Sequence, residues 1–194
     1  MTIPIKNHKI KVIDLFCGIG GLTHGFIRSG FEVVAGIDSD GKCKFGYEKN
    51  NGSRFIEKDI TDVSAREVEE LYGSAEVRVL VGCAPCQPFS GLNLKDVTEI
   101  QLQPLEKFAQ LVEELKPDIV SMENVKGLLK NPIFKAFLRA LDRNGYYYNY
   151  QIVDFSDYGV PQKRHRLVLL ASRLGEISLI APTHKNSKLT VRDV

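Results

Sequence analysis

The feature that most constrains this chain is a regular alternation of short apolar runs with amphipathic stretches, sustained from end to end. Apolar runs at 11–16, 31–37, 54–57, 77–81, 118–122, 147–155 and 166–171 predict seven strands. Segments of helical period lie between the first six. They are 22–29 closed by Gly30, 41–50, a capping box Ser64-x-x-Glu67 opening a helix to Tyr72 and Gly73, a face of Leu105, Phe108, Val112 and Leu115 ended by Pro117, and an Asn131-Pro132 start lined by Phe134, Phe137, Leu138 and Leu141 and closed by Gly145. Strands and helices in this order predict an α/β fold, a doubly wound and mostly parallel sheet with helices on both faces. Only ten residues separate the last two strands, too few for a helical crossover, so the last strand is expected to be antiparallel. In such sheets ligands bind beyond the carboxyl ends of the strands, and the candidate residues are sought there.

Composition narrows the function classes. Of 194 residues, 43% are hydrophobic and 26% charged, which excludes a disordered tail or a collagen-like fibre. The net charge of +2 is too small to mark a nucleic-acid binder by itself. No apolar run is long enough for a membrane span, and the basic, polar amino terminus lacks the apolar core of a secretory signal. The expectation is a cytoplasmic protein whose four cysteines, Cys17, Cys43, Cys83 and Cys86, are reduced thiols.

The segment Asp14-Leu15-Phe16-Cys17-Gly18-Ile19-Gly20-Gly21 follows the first strand and opens a helix. Glycines there let a ligand approach the backbone, and the helix start offers free N–H groups. Asp38 ends the next strand, 20 residues after Gly18, a spacing that suits a carboxylate accepting ribose hydroxyls. The bland alternative is a tight turn with a solvent-facing acid. The third glycine of the dinucleotide fingerprint is missing, so a nucleoside cofactor without pyrophosphate fits better than a dinucleotide. Asp59 and Ile60, at the end of the third strand, are placed to meet the adenine of the same ligand; taken alone, Asp59 reads as a strand-end cap.

Gly82-Cys83-Ala84-Pro85-Cys86-Gln87-Pro88-Phe89-Ser90-Gly91 follows the fourth strand. Cys83 and Cys86 have the spacing of a redox pair or half a zinc site, but no second pair completes a metal site, and Pro88 with Gly91 spoils the helix that a thioredoxin-like motif needs. No metal is expected. The other reading makes Cys86 a lone nucleophile, which needs a thiolate and therefore help from elsewhere in the fold. Two segments offer it: Glu123-Asn124-Val125 at the end of the fifth strand, and Gln162-Lys163-Arg164-His165-Arg166 between the last two. The alternatives are a strand cap and an ordinary solvated basic run.

Together, DLFCGIGG, GIDSD, KDI, APCQPFSG, MENV and QKRHR resemble the cytosine-C5 DNA methyltransferase family in order, spacing and placement from Asp14 to about Ser172. The resemblance implies a Rossmann-like methyltransferase fold that binds S-adenosyl-L-methionine through Asp14, Phe16, Gly18, Gly20, Gly21, Asp38, Ser39, Asp59, Ile60 and Pro85. It implies that Cys86 adds to C6 of a cytosine flipped out of double-stranded DNA. It also implies that Glu123 hydrogen-bonds N3 and the exocyclic amine, that Arg166 holds O2, and that Arg164 sits near Cys86 and the phosphate. Gln87, Ser90 and Asn124 are implied substrate contacts, with Asn124 orienting the cysteine loop. The implied setting is bacterial restriction–modification, in a cytoplasmic protein that is nucleoid-associated when bound to DNA. An RNA cytosine-C5 methyltransferase of the same fold is the alternative substrate class.

The pattern is departed from in three places. Ser39 stands where the family often has a large apolar residue for adenine stacking. No arginine lies between Arg78 and Arg139, so Lys95 is the candidate point charge of the cysteine loop. Residues 1–181 are expected to form the catalytic domain, and 182–194 resemble the start of a linker to a target recognition domain that the sequence does not contain. A truncation, a split enzyme completed by a second polypeptide and an inactive remnant are the three readings of that end. Weak cofactor affinity and little sequence-specific methylation by the chain alone are the expectations that follow.

Overall fold

The computed structural model describes residues 9–85 and 99–194. Seven strands form one sheet: β1 (Ile10–Leu15), β2 (Glu32–Asp38), β3 (Arg54–Glu57), β4 (Val77–Gly82), β5 (Ile119–Val125), β6 (Tyr147–Asp154) and β7 (His165–Ser172). Their order is β3-β2-β1-β4-β5-β7-β6. The first five are parallel, and β7 runs antiparallel to both β5 and β6. The α-helices among the described residues are α1 (Gly21–Arg28), α2 (Lys44–Asn51), α3 (Ala65–Tyr72), α4 (Glu99–Leu115) and α5 (Pro132–Arg143). None of the described helices is long and apolar enough to cross a membrane.

The central strands are mostly apolar because both faces are covered. In β4, Val77, Val79 and Val81 meet Leu22, Phe26 and Ile27 of α1, while Leu80 turns to the other face. There it joins the larger core, built with Val68 and Tyr72 of α3, Phe108 and Leu111 of α4, and Phe134 and Phe137 of α5. The helix ends follow local chemistry. Ser64 and Glu67 form the reciprocal capping box, and Asn131 caps α5 by accepting from the Ile133 N–H, with Pro132 at the first position.

Two elements differ from the sequence expectation. The stretch 41–50 does not run as one helix. A 3-10 turn, Gly41–Cys43, comes first because the Asp40 side chain accepts from the Lys42 N–H, and α2 follows. The fifth strand is also longer than 118–122. Glu123, Asn124 and Val125 stay in the sheet because Val168, Leu167 and Arg166 of β7 pair with them. A charged residue after an apolar run therefore ends the buried stretch without ending the strand.

Tyr47 of α2 locks the β1–β2 half. It is fully buried, edge-on to Phe55, and its hydroxyl shares hydrogen bonds with Thr23 (3.1 Å) and Ser53 (3.3 Å). A Cβ at Gly36 would lie 2.5 Å from the Tyr47 ring, and one at Gly20 would lie 2.8 Å from it. The ring cannot give way without breaking its bonds. Gly36→Ala is therefore expected to destabilise the chain by about 1–3 kcal/mol, read as a lower urea midpoint at constant slope.

Candidate active site

The carboxyl ends of β1 to β4 enclose a cavity of about 370 Å³ lined by Phe16, Ile37, Asp38, Ser39, Lys58, Asp59, Ile60, Cys83, Pro85 and Pro104. It lies at the point where the strand order reverses, between β2 and β4 across β1, and its size is within the roughly 300–1,000 Å³ range of small-molecule sites. Phe16 adopts a left-handed conformation (φ 60°), rare for a bulky residue. The N–H groups of Phe16 and Cys17 both donate to Ile37 O, at 2.8 and 3.2 Å, which pulls the loop across the end of β2. Asp38 fixes the other side. Its Oδ2 accepts from the Gly18 N–H and its Oδ1 from the Asp40 N–H, both at 2.9 Å. Each oxygen keeps a further lone pair for a hydroxyl donor. Asp59 caps a 3-10 turn, with Oδ1 accepting from the Thr61 N–H and hydroxyl.

Six of the ten expected cofactor residues line this cavity; Asp14, Gly18, Gly20 and Gly21 do not. Gly18 holds Asp38, Gly20 makes room for Tyr47, and Gly21 starts α1. Asp14 is buried beneath the loop, its Oδ2 accepting from the Thr23 hydroxyl at 2.7 Å. Burial pushes its carboxyl up to about 7, against the opposing effect of the Thr23 hydrogen bonds. Ile37, Lys58, Cys83 and Pro104 were not foreseen as lining residues. Ile37 and Lys58 are chain neighbours of expected ones, a usable signal, whereas Pro104 arrives from α4 and leaves no local trace.

A second group of side chains stands beside the cavity. Glu123 Oε1 lies 3.2 Å from Arg166 Nε and 3.6 Å from Arg164 Nη2. The pairing of Val125 with Arg166 explains this, since it sets the start of β7 against the end of β5. Asn124, which is buried, donates from Nδ2 to Ala84 O at 3.2 Å and accepts the Val125 N–H on Oδ1 at 2.8 Å. It thus tethers the chain two residues before Cys86. Cys86, Gln87, Ser90 and Lys95 lie outside the described residues. Cys83 is a free thiol whose burial, reinforced by the Glu123 charge, pushes it up to about 12, so it stays protonated at neutral pH. Among the described residues no group of three or more His, Cys, Asp or Glu side chains is arranged to hold a metal.

A doubly wound sheet with a nucleoside-sized cavity at its switch point and an acid–arginine cluster beside it defines the class: a Rossmann-like methyltransferase fold. The model of C-5 cytosine-specific DNA methylases matches residues 10–193, and the chain belongs to that family. It is 49% identical over 187 residues to the type II methylase M.HgiDII of Herpetosiphon aurantiacus, covering 94% of this chain and 53% of that protein. It is 34% identical to the type II methyltransferase M.XorII of Xanthomonas oryzae pv. oryzae, covering 100% of this chain and 46% of that protein. The chain thus spans about half the length of these relatives. Among solved structures, one from an E. coli prophage, assigned as a DNA modification methyltransferase, superposes with a TM-score of 0.79 at 26% identity, over 95% of this chain and 53% of that one. The S. pombe Dnmt2 methyltransferase shares the fold, with a TM-score of 0.73 at 20% identity over 87% of this chain and 51% of that one.

The buried Asp14 gives a pH signature with a definite sign. Its folded-state value lies above the ordinary carboxylate value, so its contribution to stability is complete below about pH 4 and is lost as pH rises through about 7. Asp14→Asn keeps an acceptor for Thr23 and should remove that slope. Urea midpoints from pH 5 to 8 should fall in the parent relative to the variant. Parallel profiles would show that the carboxyl does not titrate there.

Proposed function

We propose that this chain carries the catalytic machinery of a DNA (cytosine-5-)-methyltransferase of the restriction–modification type. Its substrate is a cytosine flipped out of double-stranded DNA, and its cofactor is S-adenosyl-L-methionine. The observation that carries the reading is the adjacency of the nucleoside-sized cavity to the Glu123–Arg164–Arg166 cluster, with Asn124 joining them through Ala84. Residues 1–181 form the catalytic domain in this reading.

The cavity suits the cofactor chemically. Phe16, Ile37, Ile60 and Pro104 offer apolar walls to a base, so adenine is packed without a large residue at Ser39. Asp38 offers acceptors to ribose hydroxyls, and Asp59 to an exocyclic amine. When bound there, S-adenosylmethionine supplies an electrophilic methyl group for C5. Cys86 provides the nucleophile: its thiolate forms a bond to C6, and the ring electrons make C5 nucleophilic. Glu123 hydrogen-bonds the N3 edge and the exocyclic amine, stabilising charge as the adduct forms. Arg166 holds O2, and Arg164 adds positive charge near the thiolate and the phosphate. Loss of the C5 proton and cleavage of the S–C6 bond return Cys86 to its starting state. Gln87 and Ser90, which follow Cys86 in the sequence, contact the flipped nucleotide.

Covalent trapping tests this. Duplex DNA carrying 5-fluorocytosine, which has no C5 proton to lose, should give a denaturation-resistant adduct in the presence of S-adenosylmethionine. Cys86→Ser should abolish it and Cys83→Ser should not. If no adduct forms with the chain alone or with candidate partner polypeptides, the reading is overturned. Separately, Asp38→Ala should weaken S-adenosylmethionine binding at least about tenfold by titration calorimetry, since it removes both the ribose acceptors and the anchor of Gly18.

A further inference from the structure

Residues 173–194 contain no helix or strand, yet they are fastened to the sheet. Their anchor is the 3-10 turn Phe155–Tyr158 between β6 and β7. The Tyr158 hydroxyl donates to Ile180 O at 2.9 Å, and the His184 N–H donates to Asp157 O at 2.7 Å. The His184 imidazole lies so close over Gly159 that a Cβ there would come within 3.0 Å of it. Lys188 then reaches three acceptors on this turn and its N-cap residue, Asp154. Its Nζ is 2.8 Å from Asp157 Oδ1, 2.9 Å from Ser156 Oγ and 3.3 Å from Asp154 Oδ2.

The turn is tied equally to the segment carrying the two arginines. Asp154 is the sheet partner of His165, and its Oδ2 lies 3.6 Å from His165 Nε2. The Phe155 N–H donates to Arg164 O at 2.9 Å. His165 stands between Arg164 and Arg166, and both arginines face Glu123. An exposed ion pair by itself contributes little. Here one ammonium joins the N-cap and two groups of one turn, and one of them has no other compensation among the described residues. Asp157 Oδ1 is buried and makes no aligned hydrogen bond, so the Lys188 charge is what offsets its desolvation.

We propose that Lys188 is a positioning residue, clamping the segment after β7 onto the 3-10 turn Phe155–Tyr158 and so holding Arg164 and Arg166 against Glu123. The clamp stands on its own contacts; its consequence for chemistry rests on the methyltransferase reading above.

Amide hydrogen exchange and 5-fluorocytosine trapping test the two parts. Lys188→Ala should speed exchange across residues 155–166 roughly tenfold while leaving β1, β2 and β4 protected. At saturating DNA, adduct formation should slow by on the order of tenfold to a hundredfold, the scale of a small misplacement of catalytic groups. Lys188→Arg, which keeps the charge and the donors, should restore both. If Lys188→Ala loosens the whole sheet, Asp157→Asn carries the same comparison from the other partner. Unchanged exchange at 155–166 overturns the clamp. Faster exchange with an unchanged adduct rate overturns its role in placing the arginines. A parent chain that forms no adduct, alone or with candidate partner polypeptides, sinks the methyltransferase reading instead, while the exchange comparison still decides the clamp.

Discussion

The site depends on one reversal of chain direction. Five parallel strands deliver their carboxyl ends to one edge of the sheet, and a sixth parallel neighbour would bring only another carboxyl end. β7 instead enters antiparallel, so its first residues arrive where β5 finishes. That register sets Arg166 opposite Val125 and brings two guanidinium groups to the Glu123 carboxylate. The connection before β7 is short, and the 3-10 turn within it is hydrogen-bonded to both Arg164 and the segment after β7. The reversal thus supplies cations to an edge where the parallel strands supply mainly acids: Asp38, Asp59 and Glu123.

Beneath the cavity the constraint is packing. Gly20 and Gly36 leave the space that Tyr47 fills, and the Tyr47 hydroxyl joins Thr23 and Ser53, while Thr23 also donates to Asp14. This buried polar chain ties α1, α2 and the end of β1 into one unit, and it is acceptable in the interior because its members are hydrogen-bonded. The glycine loop can then hold Phe16 in an unfavourable conformation, because two N–H groups on Ile37 O and the Asp38 carboxylate on Gly18 fix it from both sides.

Much of this was legible in the sequence, for physical reasons. β3 and the Ser64 to Gly73 helix fall at the expected residues because period and capping chemistry are local properties. The parallel-to-antiparallel switch followed from loop length alone. What escaped is tertiary. Pro104 reaches the cavity from a distant helix, and Asp14 and the glycines support the cavity without lining it. Sequence position brings such residues near a site, but only packing decides which of them face it. The segment from 182 onward read as polar chain without an element. Its three-acceptor lysine was invisible because Asp154, Ser156 and Asp157 lie some thirty residues away.

Cys83, just beyond β4, illustrates how its surroundings fix the state of a thiol. Burial and the Glu123 carboxylate hold Cys83 as a thiol, so it lines the cavity in a protonated, weakly nucleophilic form. Any thiolate working near Glu123 meets the same repulsion and needs positive charge to offset it. Among the described residues, Arg164 and Arg166 are drawn to Glu123 at 3.6 and 3.2 Å. Arg164 is the more exposed of the two and the more loosely held. Arg166 is closer to Glu123 and more enclosed. The two distances to one carboxylate thus differ because of where the start of β7 lies, and the register of β7 against β5 and the 3-10 turn Phe155–Tyr158 hold it there.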